Sequence, residues 1–257
     1  MTQRRHAVYV YGIVAAGTEL EIRSQGVYSG AGPVRRIEAG GIAALVSDVP
    51  AEPLAAARDL RAHWNVLEEV AGEATVLPVR FGTVMESDSA VRQEVLLPDS
   101  ERLTTLLREL DGKVQLSLKG FYDEEELLRE IVRRTPQVAR LRERVQRVPE
   151  AASYYDRIRL GELVAAEVDR RRTEDAELVL DHLEPLAVAA TVQPPSTQDG
   201  AVDASFLVER RRIDEFSGAV QRLASDMGDR LSLRYVGPLP PYSFAGDEEI
   251  SWSGAWG

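Results

Sequence analysis

The 257-residue sequence contains no cysteine. That excludes disulfides, thiolate metal sites and a thiol nucleophile. Histidine is scarce: His6, His63 and His182 are the whole supply. No two of them are spaced i, i+4 and there is no HExxH, so a zinc site has no support. Positive charge is in deficit, with 31 Lys+Arg against 42 Asp+Glu and a net charge of −11. Nucleic acid and a lipid membrane surface are therefore poor partners, because both require concentrated positive charge. No run approaches the ~18 apolar residues that a membrane helix needs. The start, Met1 to His6, carries two arginines but no apolar stretch of signal-peptide length behind them. A cytoplasmic protein is expected. There is also no G-x-S-x-G, and Gly30-Ala31-Gly32-Pro33 lacks the Gly-Lys-Ser/Thr of a phosphate loop, so it reads as a turn. No catalytic group, cofactor or metal is expected.

Hydrophobic residues make up 44% of the chain and charged residues 28%, enough for a real core and against wholesale disorder. Ala7–Val14 is β-branched and aromatic and reads as a buried strand. Pro33–Ile37 and Ile42–Val46 flank a Gly40-Gly41 pair, which predicts a hairpin. Leu54, Ala57, Leu60, Trp64, Leu67 and Val70 recur at helical spacing after Pro53. Thr75–Val84 predicts a strand whose internal Pro78 places it at an edge or a bulge. A helix capped by Ser87 runs to Leu97, and another ends at Leu110. Lys113–Phe121 alternates polar and apolar residues, the mark of a half-buried strand.

The pattern changes at Asp123. Residues 123–184 are strongly helical, split by Pro136 and ended by Pro149, with a second helix over Ser153–Leu183. Their 16 acids and 12 arginines suit a solvated, ion-paired face. His63 is expected on a helix surface or partly packed, and His182 at a helix end. Leu186–Val192, Ala201–Glu209, a helix at Ile213–Met227 and Leu231–Val236 follow, an order that resembles most of a ferredoxin-like unit. Pro238 to Pro241 then break regular structure. The expected organisation is α+β: a mostly antiparallel N-terminal domain (1–122), a helical segment joining the domains (123–184), a modified ferredoxin-like C-terminal part (185–242) and a tail (243–257). Arg80 and Phe81 on a strand, and Tyr242, Phe244, Trp252 and Trp256 near the end, are the candidates for binding a partner or docking on the chain itself.

Four segments carry a family resemblance: Tyr9-Val10-Tyr11-Gly12-Ile13-Val14, Val76 to Val84 (VLPVRFGTV), Lys119-Gly120-Phe121-Tyr122, and Tyr235 to Phe244 (YVGPLPPYSF). In this order they resemble the gas vesicle GvpF/GvpL family. The resemblance implies a non-enzymatic accessory protein for gas vesicle assembly. It also implies binding to the hydrophobic wall protein of the vesicle and to other accessory proteins, and an association with gas vesicles. It does not separate the F from the L branch. A small-ligand-sensing ferredoxin-like module and an enzyme with an unrecognised site are the alternatives. A client could add a strand to a sheet edge or lay a helix in a groove.

Overall fold

A computed structural model describes residues 6–28, 32–50, 57–149 and 152–245. The chain divides into two compact units. Unit 1 comprises Met1–Leu116, Leu207–Arg210 and Gly237–Gly257; unit 2 comprises Ser117–Phe206 and Arg211–Val236.

Unit 1 is built on an antiparallel sheet of β1 (His6–Ala15), β2 (Arg35–Ala39), β3 (Ile42–Pro50), β4 (Leu77–Pro78) and β5 (Val84–Met85). The strand order is β2-β3-β1-β4, with β5 also pairing with β1. The expected hairpin is present: Ala39 pairs with Ile42 across Gly40 and Gly41, whose φ values of 62° and 81° only glycine adopts readily. Helix α1 (Ala57–Glu73) covers one face of the sheet, with Val66, Leu67 and Val70 packed on Tyr9, Tyr11 and Leu45. On the other face, α2 (Asp88–Ala90) runs on as a π-helical turn (Val91–Leu96) and is followed by α3 (Ser100–Glu109). Val91, Val95, Leu103 and Leu107 from these helices bury Val8, Val10, Ile13 and Val46. Covered on both faces, β1 needs a continuous apolar run, which is what its sequence supplies. Ser87 caps α2 by accepting from the Ala90 N–H, as its position predicts.

Three local expectations are corrected. Thr75–Val84 is not one strand: β4 and β5 are separated by a turn at Arg80–Thr83. Both lie against a register shift in β1 between Val10 and Gly12. The shift reverses the side-chain alternation, so Tyr9 and Tyr11 face α1, whereas beyond it Ile13 joins the opposite core. A Cβ on Gly12 would lie 2.8 Å from Val76 and 2.9 Å from Leu67, so glycine lets helix and sheet approach closely at this point. Pro78 does sit in an edge strand, as expected. Second, α1 is rotated from the predicted stripe. Leu60 is 41% exposed, while Asp59 and His63 are buried. Third, the strand after Met227 continues through Pro238 to Leu239.

Unit 2 contains the helices α4 (Glu124–Arg134), α5 (Pro136–Arg147), α6 (Tyr154–Leu183) and α7 (Ile213–Met227). Its sheet is formed by β6 (Lys113–Tyr122), β7 (Ala189–Val192), β8 (Gly200–Glu209) and β9 (Leu231–Leu239) in the order β7-β8-β6-β9. Residues 113–116 of β6, 207–209 of β8 and 237–239 of β9 belong to unit 1. Asp123 caps α4 by accepting from the Glu126 N–H, and Pro136 splits α4 from α5 as predicted. The expected boundary at Asp123 does not hold. Lys113–Tyr122 and Ala189–Val192 share one sheet, and residues 123–184 are not a segment joining two domains. Strand β6, α4–α6, β7, β8, α7 and β9 form a βαββαβ unit whose first strand is β6. The alternation of β6 fixes its half-buried state but not its partners.

Candidate binding site

The turn after β4 organises the site. The Thr83 N–H donates to the Arg80 carbonyl at 3.3 Å, and Gly82 holds φ at 90°, as the third residue of a type II turn requires. Phe81 is thereby presented to Tyr9 and His63, at ring-centroid distances of 6.3 and 5.6 Å. The Gly82 N–H donates to the Tyr9 hydroxyl at 3.1 Å. That leaves the hydroxyl hydrogen for His63 Nδ1 at 3.0 Å, so the imidazole accepts there. His63 is 1% exposed, and burial pushes its pKa down to about 4. It is a neutral core residue, which corrects the expectation of a surface or partly packed one. Its helical register contained the clue, since Asp59, His63, Val66 and Val70 fall on one face at spacings of three and four.

Tyr11 ties down the segment that forms the opposite wall. Its hydroxyl accepts from the Val27 N–H at 2.8 Å and pairs with Ser47 Oγ at 2.8 Å. A Cβ on Gly26 would lie 2.7 Å from that oxygen, so only glycine fits. Glu69 of α1 accepts from the Arg23 and Ser24 N–H groups at 2.8 and 2.9 Å. Burial opposes its ionised form, yet a hydrogen bond from the Ser24 side chain together with these two outweighs it and holds the carboxyl below its usual value. Between the 24–28 segment and α1 lies a groove of about 430 Å³ lined by Gln25, Tyr28, Arg58, Arg61, Ala62 and Asn65, among others. Tyr28 and the buried Asp59 also line a neighbouring chamber of about 110 Å³, walled by Tyr9, Phe81 and Val84. Tyr28 itself is held at φ 82°, a conformation that is rare outside glycine. The result is an apolar, aromatic recess with one carboxylate at its mouth and a polar outer groove.

The candidate residues separate. Phe81 lines the chamber, and Arg80 is exposed beside it. Tyr242 packs on the same core as Phe81 and lies against Trp64 at 4.7 Å between centroids. The Tyr242 hydroxyl is buried and has no hydrogen-bond partner among the described residues. Phe244 packs on the opposite core, with Ala245 buried beside it. Of the expected tail only residues 243–245 are described, and the docking expected through Trp252 and Trp256 lies outside the described residues. Sequence reasoning missed Tyr9, Tyr28 and Asp59. Tyr9 carried the clearest signal, being with Tyr11 one of two phenols in a buried, mostly aliphatic strand.

Among the described residues, no group of three or more His, Asp or Glu side chains could hold a metal ion, and no helix is long and apolar enough to cross a membrane. Fold and site define an α+β protein of two units with an aromatic recess in unit 1. A sequence profile described as Gas vesicle synthesis protein GvpL/GvpF matches residues 7–246, and the chain belongs to that family of gas vesicle accessory proteins. Gas vesicle protein F of Streptomyces sp. (strain CB03234) is 39% identical over 93% of this chain and 99% of its own length. Gas vesicle protein L of the same strain is 30% identical over 86% of each chain. The crystal structure of the gas vesicle protein GvpF from Anabaena sp. PCC7120 superposes with a TM-score of 0.80 at 28% identity, covering 94% of this chain and 99% of the other.

Proposed function

We propose that the chain is a non-catalytic accessory protein of gas vesicle assembly that binds the hydrophobic wall protein at the groove between residues 24–28 and α1. The observation that carries this reading is the groove's continuity with the chamber of Tyr9, Tyr28 and Phe81. Such a recess can seat an apolar side chain of an extended segment while the polar outer groove holds its backbone. The net charge of −11 keeps a loaded complex dispersed, as a chaperone-like role demands. The protein would act in the cytoplasm and at the vesicle, together with other accessory proteins. The higher identity to the F protein than to the L protein of the same Streptomyces strain supports the F branch.

The test is calorimetric binding of the full chain to the wall protein of its own organism, kept soluble in mild detergent. Phe81→Ala empties the chamber wall, and Asn65→Trp obstructs the groove from an exposed position. Each is expected to weaken binding by about tenfold, the scale of a single buried anchor. Light scattering should show that the unaltered chain delays wall-protein aggregation at equimolar ratio. Unchanged affinity in both variants, with melting temperature preserved, refutes the groove. Absence of any binding refutes the wall protein as client.

A further inference from the structure

On α6, Tyr155, Arg159 and Leu163 recur every fourth residue and share one face. Arg159 and Leu163, together with Gln137, Arg140, Leu141 and Arg144 of α5, line a cleft of about 470 Å³ between the two helices. Leu141 is buried at its floor, and guanidinium groups stand on both rims. Arg144 Nε donates to Asp156 Oδ2 at 2.8 Å. Arg140 and Arg159 have no hydrogen-bond or ion-pair partner among the described residues. Helix α5 carries Arg140, Arg142, Arg144 and Arg147 against a single acid, Glu143, in a chain of net charge −11. Beside the cleft, Tyr154, Tyr155 and Ile158 are 62%, 83% and 45% exposed. The first half of α6 contributes no buried residue; burial on this helix begins at Arg171.

We propose that the cleft between α5 and α6 docks an acidic amphipathic helix of a partner protein. Two helices with leucine at the floor of their cleft and exposed apolar side chains beside it present the groove that a third helix fills. Arginines on both rims match carboxylates flanking the apolar stripe of such a helix, and can grip them bidentately. Exposed tyrosines beside arginines are the residue types that dominate interface energetics. A second copy of this chain is disfavoured as the occupant, because pairing two such clefts face to face brings like charges together. This surface is built from unit 2 alone and does not depend on the groove proposed for the wall protein.

The experiment uses the full chain and a fluorescein-labelled acidic helix of about five turns, with leucine at the a and d positions and glutamate elsewhere. Two control peptides are used: the same pattern with lysine for glutamate, and a scrambled acidic peptide of equal charge without an apolar face. Fluorescence anisotropy is expected to show binding of the acidic helix only, weakening steeply with added salt. Arg140→Glu combined with Arg159→Glu, both at exposed positions, is expected to lower affinity by more than about tenfold with melting temperature unchanged. Tyr155→Ser is expected to lower it less. Equal binding of the lysine peptide or of the scrambled peptide overturns the proposal. So does binding that survives the double charge reversal. Sedimentation that shows self-association lost in the double variant assigns the cleft to a second copy and overturns the partner reading.

Discussion

The two units bury polar groups by opposite means. Unit 1 buries mainly neutral ones, with the Asp59 carboxylate the exception: the Tyr9 hydroxyl pairs with His63, and Tyr11 with Ser47, beneath α1. Unit 2 buries charges. Arg230 Nε meets Glu130 Oε2 at 2.9 Å, its Nη2 meets Asp175 Oδ1 at 3.0 Å, and its Nη1 pairs with the other Asp175 oxygen. Arg171 Nη1 adds a contact to Glu130 at 3.2 Å, and the Tyr122 hydroxyl donates to Asp175 at 2.7 Å. Neutral pairs cost little to bury and little to lose. Buried ions cost much to desolvate, and are costly to break once assembled because the remaining partner has no water to turn to. The contrast predicts that the units fail under different perturbations. Unit 2 should fail on deletion of a charge, and unit 1 on protonation.

The largest effect is therefore expected from Arg230→Ala, which strips the common partner from Glu130 and Asp175 and should destabilise unit 2 by about 3–5 kcal/mol. Hydrogen exchange in the β6–β9 sheet, compared with that in the β1–β3 sheet, reads this out unit by unit. A loss no greater than that of a surface substitution would break the comparison.

Acid comes next. His63 titrates near 4 when folded and near 6.5 when free. Because its folded pKa is lowered, the unfolded chain binds the proton first. Its contribution to stability is intact above pH 6.5, declines as the pH falls toward 4, and is constant below that. At about 1.4 kcal/mol per pH unit, the loss sums to roughly 3 kcal/mol across that window. His63→Leu should flatten the urea midpoint of unit 1 between pH 6.5 and 4. A midpoint that falls just as steeply in the variant would assign the pH dependence to other groups.

Much of this architecture was legible in the sequence, and the gaps have physical causes. Helices bounded by strong local signals were read to within a residue or two. Pro136 at the start of α5, Asp123 as the cap of α4, and the Gly40-Gly41 turn act through φ, ψ and a single hydrogen bond, so no distant contact can override them. The partners of β6 were not legible, because alternation marks a half-buried strand without saying which neighbour it takes. His63 was misplaced for a related reason. An imidazole in isolation prefers water, and only the Tyr9 hydroxyl, 54 positions away in sequence, makes its burial tolerable. Phe81 was singled out from its sequence, but the chamber it lines requires Tyr28 and Asp59 from two further segments.

The smallest effects come from a matched pair of phenols, and they sharpen the comparison most directly. Tyr122→Phe removes a hydrogen bond to a carboxylate that Arg230 also holds, and bonds to charged groups are worth about 1.5–3 kcal/mol. Tyr9→Phe removes a hydroxyl that serves two neutral partners, the Gly82 N–H and His63 Nδ1. Each of those bonds contributes only about 1 kcal/mol net. The Gly82 N–H belongs to a turn near the surface, where water can replace the lost acceptor, so the cost there is softened. His63 Nδ1 has no such recourse. It loses the one hydrogen bond that the described residues give it, beneath α1 where the ring is buried. Tyr9→Phe should therefore cost slightly less than Tyr122→Phe at pH 7, with the difference growing in acid because the lost hydroxyl had favoured the neutral imidazole, which then protonates more readily inside. Urea unfolding of both variants at pH 7 and pH 5, followed by resolved amide signals in each unit, gives the ordering. If Tyr9→Phe proves the costlier at both values, the neutral network of unit 1 is more cooperative than its separate hydrogen bonds.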